Sequence, residues 1–425
     1  MSPSKTTLAT LANGVRLVTL PLPAATTAGV AVFIRSGSAH ESRAVNGISH
    51  MVEHMLFKGT ATRDARRINV DAEALGVEVN AHTDRDHTAF YMRGLPEHAG
   101  EAARMLADLV TVPSFPADEL ERERQVLLQE LAEDEDDPVS SAYKLFDSAC
   151  YGLHAAALPV IGTRTRVQRL ARDELVQYVQ RQYRGDNIVV GAAGAFDEDS
   201  FLLAATQAFA SLPAGGSARV EPPAYLGDVR TRAQEGSSQT HAVLGGAIGP
   251  RGDAAEDAAA LAAAVLGEGM SSPLLHELRE KRGLAYHASC AAEVQDLCGQ
   301  FIIETSTAPE RANECLDVVL ALLHAHAGSI DAAELSRAHN QLRVRRLRDA
   351  EKPLRRLEDA ALDLFTLGRV RSIEERAAAL DALDAQAVRG VFERLLHARL
   401  SLAFTGSLKR AAGQRARERH AVLAR

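Results

Sequence analysis

Apolar and polar positions along this chain fall into strand-like and helix-like stretches that repeat in the same order in its two halves. Leu11-Ala-Asn-Gly-Val-Arg-Leu-Val-Thr-Leu20 places a turn at Asn13-Gly14 and then alternates, the pattern of a half-buried strand. Apolar runs with glycine near their ends occur early in each half, over 28–37 and 240–249, and late in each half, over 186–194 and 398–406. Between them lie long stretches rich in Ala, Leu and Arg that predict helices. The densest turn signal, Ser211-Leu-Pro-Ala-Gly-Gly-Ser-Ala-Arg-Val-Glu-Pro-Pro223, lies near mid-chain. The pattern is a diverged two-copy repeat, with domains at 1–215 and 216–425. Strands mixed with helices, without regular β-α alternation, predict an α+β class: two homologous α/β sandwich domains, each a mainly antiparallel sheet covered by helices.

Composition sharpens this. The chain has 425 residues, enough for two or three domains by length alone. Aromatic residues are 4% with no Trp, so Ala, Leu and Val must fill the cores. A net charge of −8 with so few stacking side chains argues against a nucleic-acid partner. Cys150, Cys290, Cys298 and Cys315 show no C-x-x-C spacing, neither a disulfide framework nor a zinc knuckle. The apolar run over 258–267 is half of the roughly 20 residues a membrane span requires, so no membrane partner is expected. The first forty residues lack acids and carry many Ser, Thr and Ala, which faintly suggests a transit peptide. The strand pattern and the missing apolar core region favour a folded start and a cytoplasmic protein. Acidic Glu133-Asp-Glu-Asp-Asp137 and basic Leu342-Arg-Val-Arg-Arg-Leu-Arg348 read as solvated helix faces.

The sharpest chemical feature is His50-Met-Val-Glu-His54, on a helix expected to close at Gly59. Histidines at i and i+4 share one helix face and can grip one metal ion. Glu53 is one turn from His50, within reach of a metal-bound water without being a ligand. A catalytic zinc site needs a third protein ligand. Glu123 and Glu130 lie two turns apart on a helical stretch whose apolar stripe is Val126, Leu127 and Leu131. Taken alone, such acids read as a solvated face. His82 and His87, five apart, are read as strand neighbours pointing to opposite faces and are left out of the metal set.

The order H-x-x-E-H, with Glu130 placed 76 residues beyond His54, resembles the pitrilysin family of zinc peptidases. The branch containing mitochondrial processing peptidase and its bacterial relatives is the most similar. Matching segments include Gly47-Ile-Ser-His-Met-Val-Glu-His-Met-Leu-Phe-Lys-Gly-Thr60, Val79-Asn-Ala-His-Thr83, Glu123-Arg-Gln-Val-Leu-Leu-Gln-Glu130 and, in the second half, Gly269 through Tyr286. The resemblance implies that His50, His54 and Glu130 ligate Zn2+, that Glu53 is the general base, and that Glu123 orients a ligand histidine. It implies that Asn80 and Ala81 lie on an edge strand that pairs with extended substrate, and that Arg279 and Tyr286 bind substrate and stabilise the oxyanion. Pro273 stands where relatives commonly carry Arg. The implied enzyme is a metalloendopeptidase that hydrolyses extended or unfolded peptides inside a dimeric chamber. Each chain is then half of a clamshell. A homodimer is the simpler expectation, with a heterodimer containing a metal-free sister subunit as the alternative. Relatives that serve respiratory complexes as non-catalytic subunits lose metal ligands; here His50, Glu53, His54 and Glu130 are all intact.

Overall fold

The computed structural model describes residues 6–216 and 219–408. Ser217 and Ala218 of the mid-chain linker lie outside these residues. Eleven strands form two sheets among the described residues. The first sheet contains β1 (Thr7–Thr10), β2 (Arg16–Pro21), β3 (Ala28–Ile34), β4 (Glu78–Thr83), β5 (Thr88–Gly94) and β6 (Ile188–Gly194), in the order β1-β2-β6-β3-β5-β4. The second contains β7 (Val229–Ala233), β8 (Thr240–Ile248), β9 (Ala285–Val294), β10 (Gly299–Thr307) and β11 (Ser401–Gly406), in the order β7-β11-β8-β10-β9. Each sheet has one parallel pair, β2 with β6 and β7 with β11, and is otherwise antiparallel.

Central strands β3 and β6 are buried along their whole length because both faces of the sheet are covered, which explains their unbroken apolar runs. On one face Val30, Val32, Phe90 and Val190 pack with Met51, Val52, Leu106 and Phe201 from helices. On the other, Ala31, Phe33, Ala89 and Val189 meet Leu357, Ala361, Leu364 and Phe365 of the helix Pro353–Leu367. Fully burying one such large apolar side chain stabilises the fold by roughly 1.5–3 kcal/mol. Gly191 makes room for that helix: a Cβ there would lie 2.4 Å from Leu357 Cδ1.

The second sheet repeats the plan. Leu244, Phe301, Ile303 and Phe404 face Leu261, Val265 and Phe392, while Val243, Ile302 and Ala403 face Ala142 and Phe146 of the helix Pro138–Tyr151.

These covering helices correct the expected contiguous domains. One compact unit comprises Met1–Leu131, Pro159–Val220 and Arg348–Arg371; the other comprises Ala132–Leu158, Glu221–Leu347 and Ser372–Arg425. The chain does cross between units near residue 220, close to the expected boundary at 215/216. Each unit nevertheless takes one covering helix from the other half of the sequence. No single helix among the described residues is long and apolar enough to cross a membrane.

Candidate metal centre

The helix carrying the histidine motif runs Ile48–Leu56, three residues short of the expected Gly59, which instead bridges to Asp64. Ile48, Met51, Val52, Met55 and Leu56 form its buried stripe, leaving His50, Glu53 and His54 on the other side. Its N-terminus is held by Glu41, whose carboxylate accepts from the backbone N–H of Gly47 and Ser49, each at 2.8 Å, and from Asn46 Nδ2 at 2.9 Å. An anion at this end complements the helix dipole. Burial pushes the Glu41 carboxyl up to about 7 against these hydrogen bonds.

Glu123 and Glu130 share the helix Ala117–Asp136. Of the stripe expected there, Leu127 and Leu131 are buried, but Val126 is 42% exposed, because one narrow apolar seam suffices to seat this helix. Glu130 Oε2 stands 3.9 Å from His50 Nε2 and 3.8 Å from His54 Nε2, and the three donor atoms lie within 4.8 Å of one another. A tetrahedral zinc ion with bonds of about 2.0–2.1 Å has donor–donor edges of about 3.4 Å. A small inward movement of these side chains would enclose one ion, so the donor set fits zinc. The remaining nitrogen of His54, Nδ1, is 3.0 Å from Glu123 Oε2, and Glu123 Oε1 accepts from Lys58 Nζ at 2.7 Å. Burial works against the Glu123 charge, but Lys58 and His54 hold it below the usual carboxylate range. That interaction fixes the His54 tautomer with Nε2 turned to Glu130.

Glu53 accepts a hydrogen bond from the Thr83 hydroxyl at 2.6 Å. Burial raises its pKa; Thr83, His54 and His82 oppose the rise, and Glu130 adds to it. Thr83 ends β4, an edge strand, and Asn80 and Ala81 lie on the same strand. Arg279 and Tyr286 are brought to each other, with the guanidinium 4.9 Å from the ring centroid. Arg279 sits in a π-helical turn, His276–Lys281, a local geometry frequent at functional sites, and Tyr286 is 81% exposed.

Three functional neighbours carry no sequence signal strong enough to assign them. Thr83, Lys58 and Glu41 are ordinary polar residues until the fold sets them beside Glu53, Glu123 and the helix start. The reading of His82 and His87 is corrected. A turn separates them, so His82 lies on β4 and His87 immediately precedes β5, and their Nε2 atoms are 3.3 Å apart.

Comparison with known proteins agrees along most of the chain. Residues 16–164 match the family model described as Insulinase (Peptidase family M16), and residues 169–342 match that of the Peptidase M16 inactive domain. A Mycobacterium tuberculosis protein named an uncharacterized zinc protease is 33% identical over 415 residues, 96% of this chain and 93% of its own. One of the same description from Bacillus subtilis is 31% identical over 390 residues, 91% of this chain and 94% of its own. A crystal structure of a protease from Helicobacter pylori matches with a TM-score of 0.87 at 21% identity, covering 95% of this chain and 99% of that one. This last likeness shows the two-sheet fold.

Proposed function

This chain belongs to the insulinase family of peptidases, family M16, and from that premise we propose that it is a zinc-dependent endopeptidase of the processing-peptidase type acting on extended peptides. The observation that carries the reading is the convergence of His50 Nε2, His54 Nε2 and Glu130 Oε2, with the Glu53 carboxylate one helical turn from His50. Held by these three donors, zinc would polarise the scissile carbonyl and acidify the attacking water.

Everything else falls to side chains of the chain itself. Glu53 takes the proton from that water and passes it to the leaving amine nitrogen, so its own proton count is unchanged over the cycle. The Thr83 hydroxyl restricts which way the carboxylate turns. Glu123 holds His54 in the tautomer that leaves Nε2 free to ligate. The edge of β4 at Asn80 and Ala81, where the Ala81 N–H donates to Asn80 Oδ1 at 2.8 Å, would open to main-chain hydrogen bonds with an extended peptide, with little demand on its side chains. Arg279 and Tyr286 supply a positive charge and a hydroxyl to the tetrahedral oxyanion. They do so in trans, on the zinc site of a second copy of this chain, and the pair encloses the peptide.

Glu53→Gln tests the proposal by combining hydrolysis of a quenched fluorescent peptide library with metal analysis. The expected result is a loss of about 10²–10⁴-fold in kcat with zinc retained, the range for a lost general base. Unchanged turnover in the variant overturns the mechanism.

A further inference from the structure

On the opposite face of the same edge strand lies a second set of converging donors. Successive strand residues point to opposite faces. Thr83 serves the Glu53 side, and His82 points toward the face covered by the helix Pro353–Leu367. His82 pairs with Ala89 of β5, and His87 precedes Ala89 by two, so both histidines share one face as diagonal cross-strand neighbours. Glu358 comes down from the covering helix between them.

The distances are those of a metal site. His82 Nε2 to His87 Nε2 is 3.3 Å, His87 Nε2 to Glu358 Oε1 is 3.4 Å, and His82 Nε2 to Glu358 Oε1 is 3.5 Å. This triangle matches the donor–donor edge of about 3.4 Å set by zinc bonds of about 2.0–2.1 Å, more closely than the His50–His54–Glu130 set does. The Asp84 carboxylate lies within 4.8 Å of all three and completes a four-ligand set. The supporting contacts are in place as well. Asp86 Oδ1 is 2.8 Å from His87 Nδ1, the carboxylate–histidine arrangement that turns Nε2 toward an ion. Arg355 donates to Glu358 Oε2 at 2.7 Å and leaves Oε1 facing the imidazoles.

Without an ion a proton on His87 takes that place: against burial, Asp86 and Glu358 push its pKa up to about 9. Two ring nitrogens face each other at 3.3 Å, and at most one proton can sit between them. A divalent cation lets both lone pairs and the carboxylate point at one charge.

We propose that His82, Asp84, His87 and Glu358 form a second metal site, for zinc or a similar borderline divalent transition ion. With four protein ligands it is structural: it cross-links the β4–β5 hairpin to the helix Pro353–Leu367. Two imidazoles with two carboxylates suit such an ion better than calcium or magnesium.

The proposal is independent of the catalytic reading, and zinc stoichiometry separates the two. The full chain, dialysed with zinc and then freed of excess, is expected to hold two ions. His50→Ala/His54→Ala is expected to retain one, and Glu358→Gln to retain one. The triple variant is expected to hold none. Added zinc should raise the Tm of the His50→Ala/His54→Ala protein and leave that of the triple variant unmoved. No bound zinc in His50→Ala/His54→Ala overturns the second site. Zinc in the triple variant equal to that in His50→Ala/His54→Ala also overturns it, by placing the ion elsewhere. Loss of the ion that Glu358→Gln should keep would instead count against the catalytic site.

Discussion

Glu123 does for His54 what no side chain among the described residues does for His50, whose Nδ1 is buried without a hydrogen-bond partner. The two ligands are therefore held unequally. Glu123→Ala frees the His54 ring to turn and to change tautomer, and is expected to weaken zinc affinity by about 10–100-fold. A competition titration with a fluorescent chelator reads that directly, and saturating zinc should restore most of the turnover. His50 answers to a different force. Burial first, and the neighbouring His54 second, push its pKa down to about 4 in the metal-free chain. A base whose folded pKa is depressed favours folding while neutral. The His50 contribution is thus fully present above its ordinary value of 6.5 and lost as the pH falls through about 4. Denaturant unfolding of metal-free protein across this window should show the loss, and His50→Gln should flatten it. A midpoint for the His50 ring near 6.5 by NMR would contradict the effect. At this scale the sequence was most legible where spacing carries chemistry: His50, Glu53 and His54 sit in one short motif. Glu41, Lys58 and Thr83 were illegible because their roles arise from what the fold sets beside them.

The elements themselves were easier to read than their partners. Apolar runs over 28–37 and 240–249 become β3 and β8, and the late runs become β6 and β11, because strands covered on both faces are largely apolar. Amphipathic periodicity likewise announces the helices Pro138–Tyr151 and Pro353–Leu367. It says that one face is buried, not which sheet buries it, so their exchange between halves could not be seen in sequence. The same limit misplaced His82 and His87: their spacing of five implies opposite faces on one strand, but the turn between them restores a common face. The exchanged helix makes a quantitative expectation possible. Leu357 is fully buried against the sheet beside Gly191. Leu357→Ala leaves a cavity that the glycine cannot fill, and should cost about 2–5 kcal/mol in a urea titration. Val126→Ala, on the exposed side of the acidic helix, should stay within about 0.5 kcal/mol of the parent. Equal losses at the two positions would mean that Leu357 does not anchor the helix.

For the whole molecule, the division of labour between the two units sets the decisive question. The His50–His54–Glu130 donors belong to one unit, and the Arg279–Tyr286 pair belongs to the other, where Tyr286 stands 81% exposed. Arg279 is half-buried, stacks on the exposed Tyr286 ring and pairs with the neighbouring Glu280 at 3.4 Å. Under the proposed homodimer, each working site combines the zinc side of one copy with the Arg–Tyr side of the other. Two inactive variants can then repair each other. In a dimer of one Glu53→Gln chain with one Arg279→Ala chain, one site inherits both defects and the other inherits neither. After equal mixing and full exchange, half the dimers are mixed and half of their sites are intact, so about one quarter of parental activity should return in a two-fold symmetric pair. If Arg279 instead serves the zinc site of its own chain, every site in every dimer keeps one defect, and mixing restores nothing. Subunit exchange followed by mass spectrometry of differently tagged chains provides the control. With exchange confirmed, peptide hydrolysis that stays at the level of the separate variants rules out the shared site.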